Sequence, residues 1–203
     1  MEKETARIEA FSDGVFAIAI TLLILEIKVP PATVDLGSQL LRQWPSYVAF
    51  VISFAFIGIM WINHHRLFTH IHRSNTVLLI LNLLLLLGVC WVPYPTAVLA
   101  QHLSAGDQKI AALLYHGSYF VIAIFFNVLW QYATHAGLLG HNANAAAAAK
   151  ISRQYAFGPS LYLICIGLVW VNIPVSLLVN FALAIFFALP AEYVIKKERD
   201  FIG

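Results

Sequence analysis

Charge is the scarcest property of this chain. Only 11% of its 203 residues are Asp, Glu, Lys or Arg, whereas 61% are hydrophobic and the mean hydropathy is +0.80. Soluble domains carry roughly a quarter charged residues, so a soluble globular fold is excluded. The net charge is only +2, and no basic stripe with interleaved aromatics occurs, so nothing points to a nucleic-acid partner. Cysteine is almost absent. Cys90 and Cys165 both sit in apolar runs as small hydrophobes, and neither a disulfide framework nor a zinc site follows from them. A basic leader is lacking too: Glu2, Glu4, Glu9 and Asp13 occupy the region where a cleaved signal peptide would be positive, so the first apolar run is expected to be retained.

Long apolar runs fill the remainder. Crossing ~30 Å of hydrocarbon takes about 20 apolar residues, and the chain offers six such stretches, at about 6–29, 43–64, 75–99, 109–134, 154–171 and 174–195. The expectation is a single all-α integral membrane domain over 1–203, with six transmembrane helices and no room for a soluble domain. Pro30 and Pro31 end the first span, Pro93 and Pro95 the third, Ser104 to Asp107 forms a polar turn, and Asn172-Ile173-Pro174 forms a tight reversal. Asn142 to Lys150 reads as an alanine-rich helical extension. Lys3, Arg7, Arg66, Arg73, Lys150, Arg153, Lys196, Lys197 and Arg199 fall on the side of the termini, against Lys28, Arg42 and Lys109 on the other. Nine against three predicts cytoplasmic termini in a cell-membrane protein. Trp44, Tyr47, Trp91, Tyr94, Trp130 and Tyr132 are expected to anchor span ends at the bilayer interfaces, and Lys196 to Arg199 to touch anionic lipid.

Polar residues inside apolar runs carry the functional signal. Arg7, Ser12 and Asp13 stand at the mouth of the first span, where an ionised side chain at bilayer depth costs roughly 2.5 to 3.5 kcal/mol and needs a partner or a wet cavity. On a helical wheel Ile18, Leu22 and Leu25 lie within about 60° of one another, with Phe11 and Val29 on nearly the same line. Thr21 borders that stripe and Asp13 points away from it. The stripe alone fits either a packing seam or a pore lining. Asp13 is expected to tie the helix to its neighbours, with Trp61, His65 and Asn82 as candidate partners. His64, His65, His70 and His72 form a second cluster, read as an interfacial loop with titratable rings. A histidine-box metalloenzyme is a third-rank alternative, because only one cluster exists and Arg66 and Arg73 flank it. Asn127, Asn172 and Asn180 lie inside spans, where helix-to-helix hydrogen bonding is expected for most such asparagines. His116 lies nearer a span end, and Glu26, at the far mouth of the first span, reads as solvated or cation-attracting.

Arg7-x-x-x-Phe11-Ser12-Asp13, the continuation Gly-Val-Phe-Ala-Ile-Ala-Ile-Thr, and Trp61-x-x-His-His-Arg resemble the transmembrane protein 175 family of potassium channels. The resemblance implies a homotetramer of six-helix subunits with the first helix around a central pore. It places the narrowest hydrophobic ring on Ile18, further pore positions on Leu22 and Leu25, and potassium preference on Thr21. The partners it implies are further copies of the chain, the lipid bilayer and permeant potassium, with no cofactor and no enzymatic activity. No Thr-Val-Gly-Tyr-Gly filter occurs, so selectivity is expected to be weak and to rest on pore size and the Thr21 hydroxyl. The alternatives are a secondary transporter, for which no repeat between the two halves is visible, and a proton-conducting membrane protein.

Overall fold

A computed structural model describes residues 4–103, 107–140 and 145–188. Among them the structure is α-helical, apart from turns and one isolated antiparallel bridge between Ile71 and Leu139. The helices are α1 (Ala6–Leu22), continued by a 3-10 turn over Leu23–Glu26, α2 (Leu36–Arg42), α3 (Trp44–His70), α4 (Thr76–Trp91), α5 (Pro93–His102), α6 (Gln108–His135), α7 (Ala145–Leu168) and α8 (Ile173–Ala188). Among the described residues four stretches are long and apolar enough to cross a bilayer: Ala6–Glu26, Trp44–His70, Thr76–His102 and Gln108–His135. The helix Ile173–Ala188 is a shorter apolar one.

Local chemistry sets many of these boundaries. Asn75 opens α4, its side-chain oxygen accepting from the Leu78 amide at 2.9 Å. Asn172 does the same for α8 through Val175 at 3.0 Å, just ahead of Pro174. Both satisfy amides that the first helical turn leaves without intrahelical acceptors. Asp35 caps α2 through the Ser38 amide at 2.9 Å, and that bond holds its carboxyl below the ordinary 3.8. The cap is therefore complete above the unfolded carboxyl's range and is lost as pH falls through the lowered folded value. Asp35→Ala should speed hydrogen exchange at the Ser38 amide without altering α3, which amide-exchange mass spectrometry would read.

The loops at one end of the bundle are tied together. The Glu4 amide donates to the His72 carbonyl at 3.2 Å, the Ser74 amide donates to the Glu4 carboxylate at 2.9 Å, and the Gly140 amide donates to the His70 carbonyl at 3.0 Å. Arg66 reaches the Ala188 carbonyl at 2.8 Å, satisfying an acceptor at the end of α8. The start of α1, the α3–α4 turn, the α6–α7 turn and the end of α8 thus share one end.

Several expectations are corrected. The second span does not end at 64: buried Ser53, Phe56, Ile57, Met60, Asn63, His64, Leu67 and Phe68 continue one helical stripe, so α3 runs through His70. His64, His65 and His70 therefore lie on a helix, not in a loop. Pro93 and Pro95 do not end the third span. Proline is tolerated in the first helical turn, and α5 restarts immediately to carry the stretch on to His102. Trp130 is not an interface anchor, because it is buried with its indole nitrogen donating to Ser152 at 2.8 Å. α2 was not foreseen. Ser104 in the polar turn, Asn142 to Asn144, Lys3, the Lys196 to Arg199 cluster and the last span beyond 188 lie outside the described residues.

Candidate functional site

α1 is two-faced. Ile8, Ser12, Phe16, Ala19 and Leu23 are buried at helical spacing against α3 and α4. On the other side Phe11, Ile18, Leu22 and Leu25 are exposed, with Ile18 59% and Leu25 61% accessible against 1% for Phe16. Among the described residues, nothing covers this apolar stripe. Thr21 is exposed beside it, and its hydroxyl donates to the Ile18 carbonyl at 2.9 Å. The hydroxyl proton is thereby used, so the oxygen presents lone pairs outward.

The buried face is held by a chain of side-chain hydrogen bonds through three helices. Asn82 of α4 donates from Nδ2 to Ser12 Oγ of α1 at 3.0 Å. Its Oδ1 lies 2.8 Å from His64 Nε2 of α3. Oδ1 can only accept, so His64 carries its proton on Nε2. The imidazole is stacked on Phe68 at 4.5 Å between ring centroids and packs against Phe16 at 5.4 Å. Beside this buried chain, Trp61 donates its indole N–H to exposed Asp13 at 2.8 Å.

Of the three partners expected for Asp13, Trp61 makes the bond. Asn82 turns instead to Ser12 and His64, and His65 stacks on Trp61 at 6.2 Å. Arg7 is exposed, and the structure does not bring it into this network. His64 was missed as a member of it. The unbroken spacing of apolar residues from Phe56 to Ile71 was the available signal, since it makes His64 part of a buried helical face. Among the described residues no three His, Cys, Asp or Glu side chains come together as a metal site. What the arrangement can do is fix one face of α1 rigidly and offer the other, apolar but for Thr21, to something outside the chain.

Comparison with known proteins agrees with the first-helix motif. The family model described as endosomal/lysosomal potassium channel TMEM175 matches residues 7–93. A protein of Chamaesiphon minutus named a potassium channel is 50% identical over 193 residues, covering 93% of this chain and 95% of its own. One from Streptomyces collinus, also named a potassium channel, is 45% identical over 199 residues, covering 96% and 97%. The crystal structure of a lysosomal potassium-selective channel TMEM175 homolog from Chamaesiphon minutus superimposes with a TM-score of 0.83 at 48% identity, over 93% of this chain and 98% of that one. On the strength of near-complete alignment at this identity, the chain belongs to the TMEM175 family.

Proposed function

We propose that this chain is a passive potassium channel of the cell membrane, formed by four copies around a pore lined by α1. It is not an enzyme, and it needs no cofactor. In this reading residues 1–203 form one channel domain of six spans, with α7 and α8 as the fifth and sixth, and both termini are cytoplasmic. The observation that carries it is the exposed Ile18, Leu22 and Leu25 stripe on a helix whose opposite face is pinned by buried polar bonds. One subunit supplies one stripe, and closure of copies about an axis turns it into rings.

Ile18 forms the main constriction, with Leu22 and Leu25 beyond it, and such a neck controls passage by excluding water. Thr21 supplies the polar ring. Its outward lone pairs suit a partly dehydrated cation, and the donated proton keeps the oxygen in place. Ser12, Asp13, Trp61, His65 and Asn82 position α1, Phe11 stands on its exposed side at the start of the stripe, and Arg7 acts at its entrance.

The test is reconstitution in a planar bilayer with potassium on one side and sodium on the other. A reversal potential displaced toward the potassium equilibrium value is expected, and zero displacement would contradict potassium preference. Thr21→Val should bring the reversal potential toward zero while current persists. An unchanged value would locate selectivity elsewhere.

A further inference from the structure

A second buried histidine is bonded between α6 and α8 and not to α1. His116, two turns into α6, and Ser176 and Asn180 of α8 are all fully buried. His116 Nε2 lies 2.9 Å from Ser176 Oγ, and Nδ1 lies 2.9 Å from Asn180 Nδ2. The Ser176 hydroxyl donates to the Ile173 carbonyl at 2.7 Å.

Proton counting fixes the state of this group. Because the serine proton is spent on Ile173, Ser176 must accept from His116, so Nε2 carries hydrogen. Nδ1 is then bare and accepts from the Asn180 amide. Turning that amide over would need hydrogen on Nδ1 and a serine proton already in use, so the neutral ring has one consistent arrangement. It leaves a defect: Asn180 Oδ1 is buried with no hydrogen-bond partner among the described residues. An acceptor buried in this way is costly, and native structures leave few of them.

We propose that His116, Ser176 and Asn180 form a proton-binding site between α6 and α8, apart from the pore surface. The ligand is a single proton. It adds to Nδ1, the Asn180 amide rotates, and Oδ1 accepts the new N–H. The imidazolium then has an acceptor at each nitrogen, Ser176 on one side and Asn180 on the other, as a buried charge requires. Acid therefore exchanges the neutral N–H···Nδ1 bond for a charge-assisted bond between the two helices, and the Asn180 amide N–H groups take the place of the orphaned acceptor.

On α6 and on α7, which packs against it, the other titratable groups include Asp107, nine residues before His116, and buried Tyr119, Tyr162 and Cys165. Tyr115, on the same helix, is the titratable side chain in ring contact, 5.7 Å between centroids. By sequence α4, α5 and the described α8 contain no carboxylate, lysine or arginine. His102, at the end of α5, is bonded through Nδ1 to the Val98 carbonyl at 2.9 Å. Arg66 of α3 and Lys150 and Arg153 of α7 are near the opposite end of the bundle. Lys109 lies seven residues away on α6 and sits over the Trp170 ring at 5.5 Å.

Solid-state NMR on the intact protein in lipid bilayers, labelled with nitrogen-15 at histidine and asparagine, tests this. His116 is assigned by its absence in His116→Gln. At neutral pH its spectrum should show hydrogen on Nε2 and a bare Nδ1. On acidification both nitrogens should become protonated together with a shift of the Asn180 amide signal. In Asn180→Leu the ratio of doubly protonated to neutral ring at the same acid pH should fall about tenfold, one pH unit of binding. Asn180→Asp should hold the doubly protonated ring already at neutral pH, and it serves if the leucine variant does not fold. A neutral ring with hydrogen on Nδ1, or a ring that stays neutral down to about pH 4 in folded protein, would overturn the proposal. So would a leucine variant titrating like the parent, or an aspartate variant neutral at pH 7.

Discussion

Ile18→Ala raises the potassium current through the reconstituted protein. The side chain stands at the middle of the exposed stripe of α1, and in a symmetric assembly each substitution widens the neck once per subunit. A narrow apolar neck resists conduction because it holds water poorly. Shortening its lining reduces that resistance, and a barrier lower by about 1.4 kcal/mol corresponds to roughly tenfold more current. Ile18→Asn should raise it further by offering hydrogen bonds to water and ion. Single-channel recording checks both, and an unchanged unitary conductance would move the constriction away from Ile18.

Asn82→Leu is the second substitution with a large effect, and it acts on the fold. Asn82 stands between Ser12 and His64, at 3.0 and 2.8 Å. Removing its amide leaves a buried hydroxyl and a buried imidazole N–H without partners, at about 1 to 3 kcal/mol each. A loss of roughly 2 to 6 kcal/mol, visible as a large drop in Tm in detergent, is expected. Ser12→Ala should cost much less in the Asn82→Leu background than in the parent, because the bond it removes is already gone. Full additivity would mean that Ser12 and Asn82 stabilise the protein independently.

The first helix was legible because one element carried both signals: an apolar stripe on one side and a misplaced charge on the other. The donor and acceptor inventory also put Trp61 among three candidate partners of Asp13, and Trp61 makes the bond. It did not place Asn82, since three helices had to be positioned before its amide could be seen spanning Ser12 and His64. Spacing within a helix is written in the sequence, but pairing between helices depends on their rotation. The histidine cluster was misread for a related reason. Four histidines in nine residues suggest an interface, yet His64 shares its helical face with Met60, Leu67 and Phe68 and goes inside with them. Trp130 met a partner in Ser152 of another helix and was buried. Pro93 was read as a stop, although a proline can equally be the first residue of a continuing helix. Asn180 was read as a helix-to-helix polar residue and His116 only as a polar residue near a span end, because their pairing depended on the α6 and α8 contact.

The central claim is that the exposed face of α1 is the conduction path. Ile18→Cys, in a background with Cys90→Ala and Cys165→Ala, tests it most directly when a charged methanethiosulfonate reagent is applied during recording. The account predicts that current flows before the reagent and is largely abolished after it, with no loss in the cysteine-free parent. Full modification of Ile18→Cys, verified by mass, with the current unaltered would place the pore elsewhere.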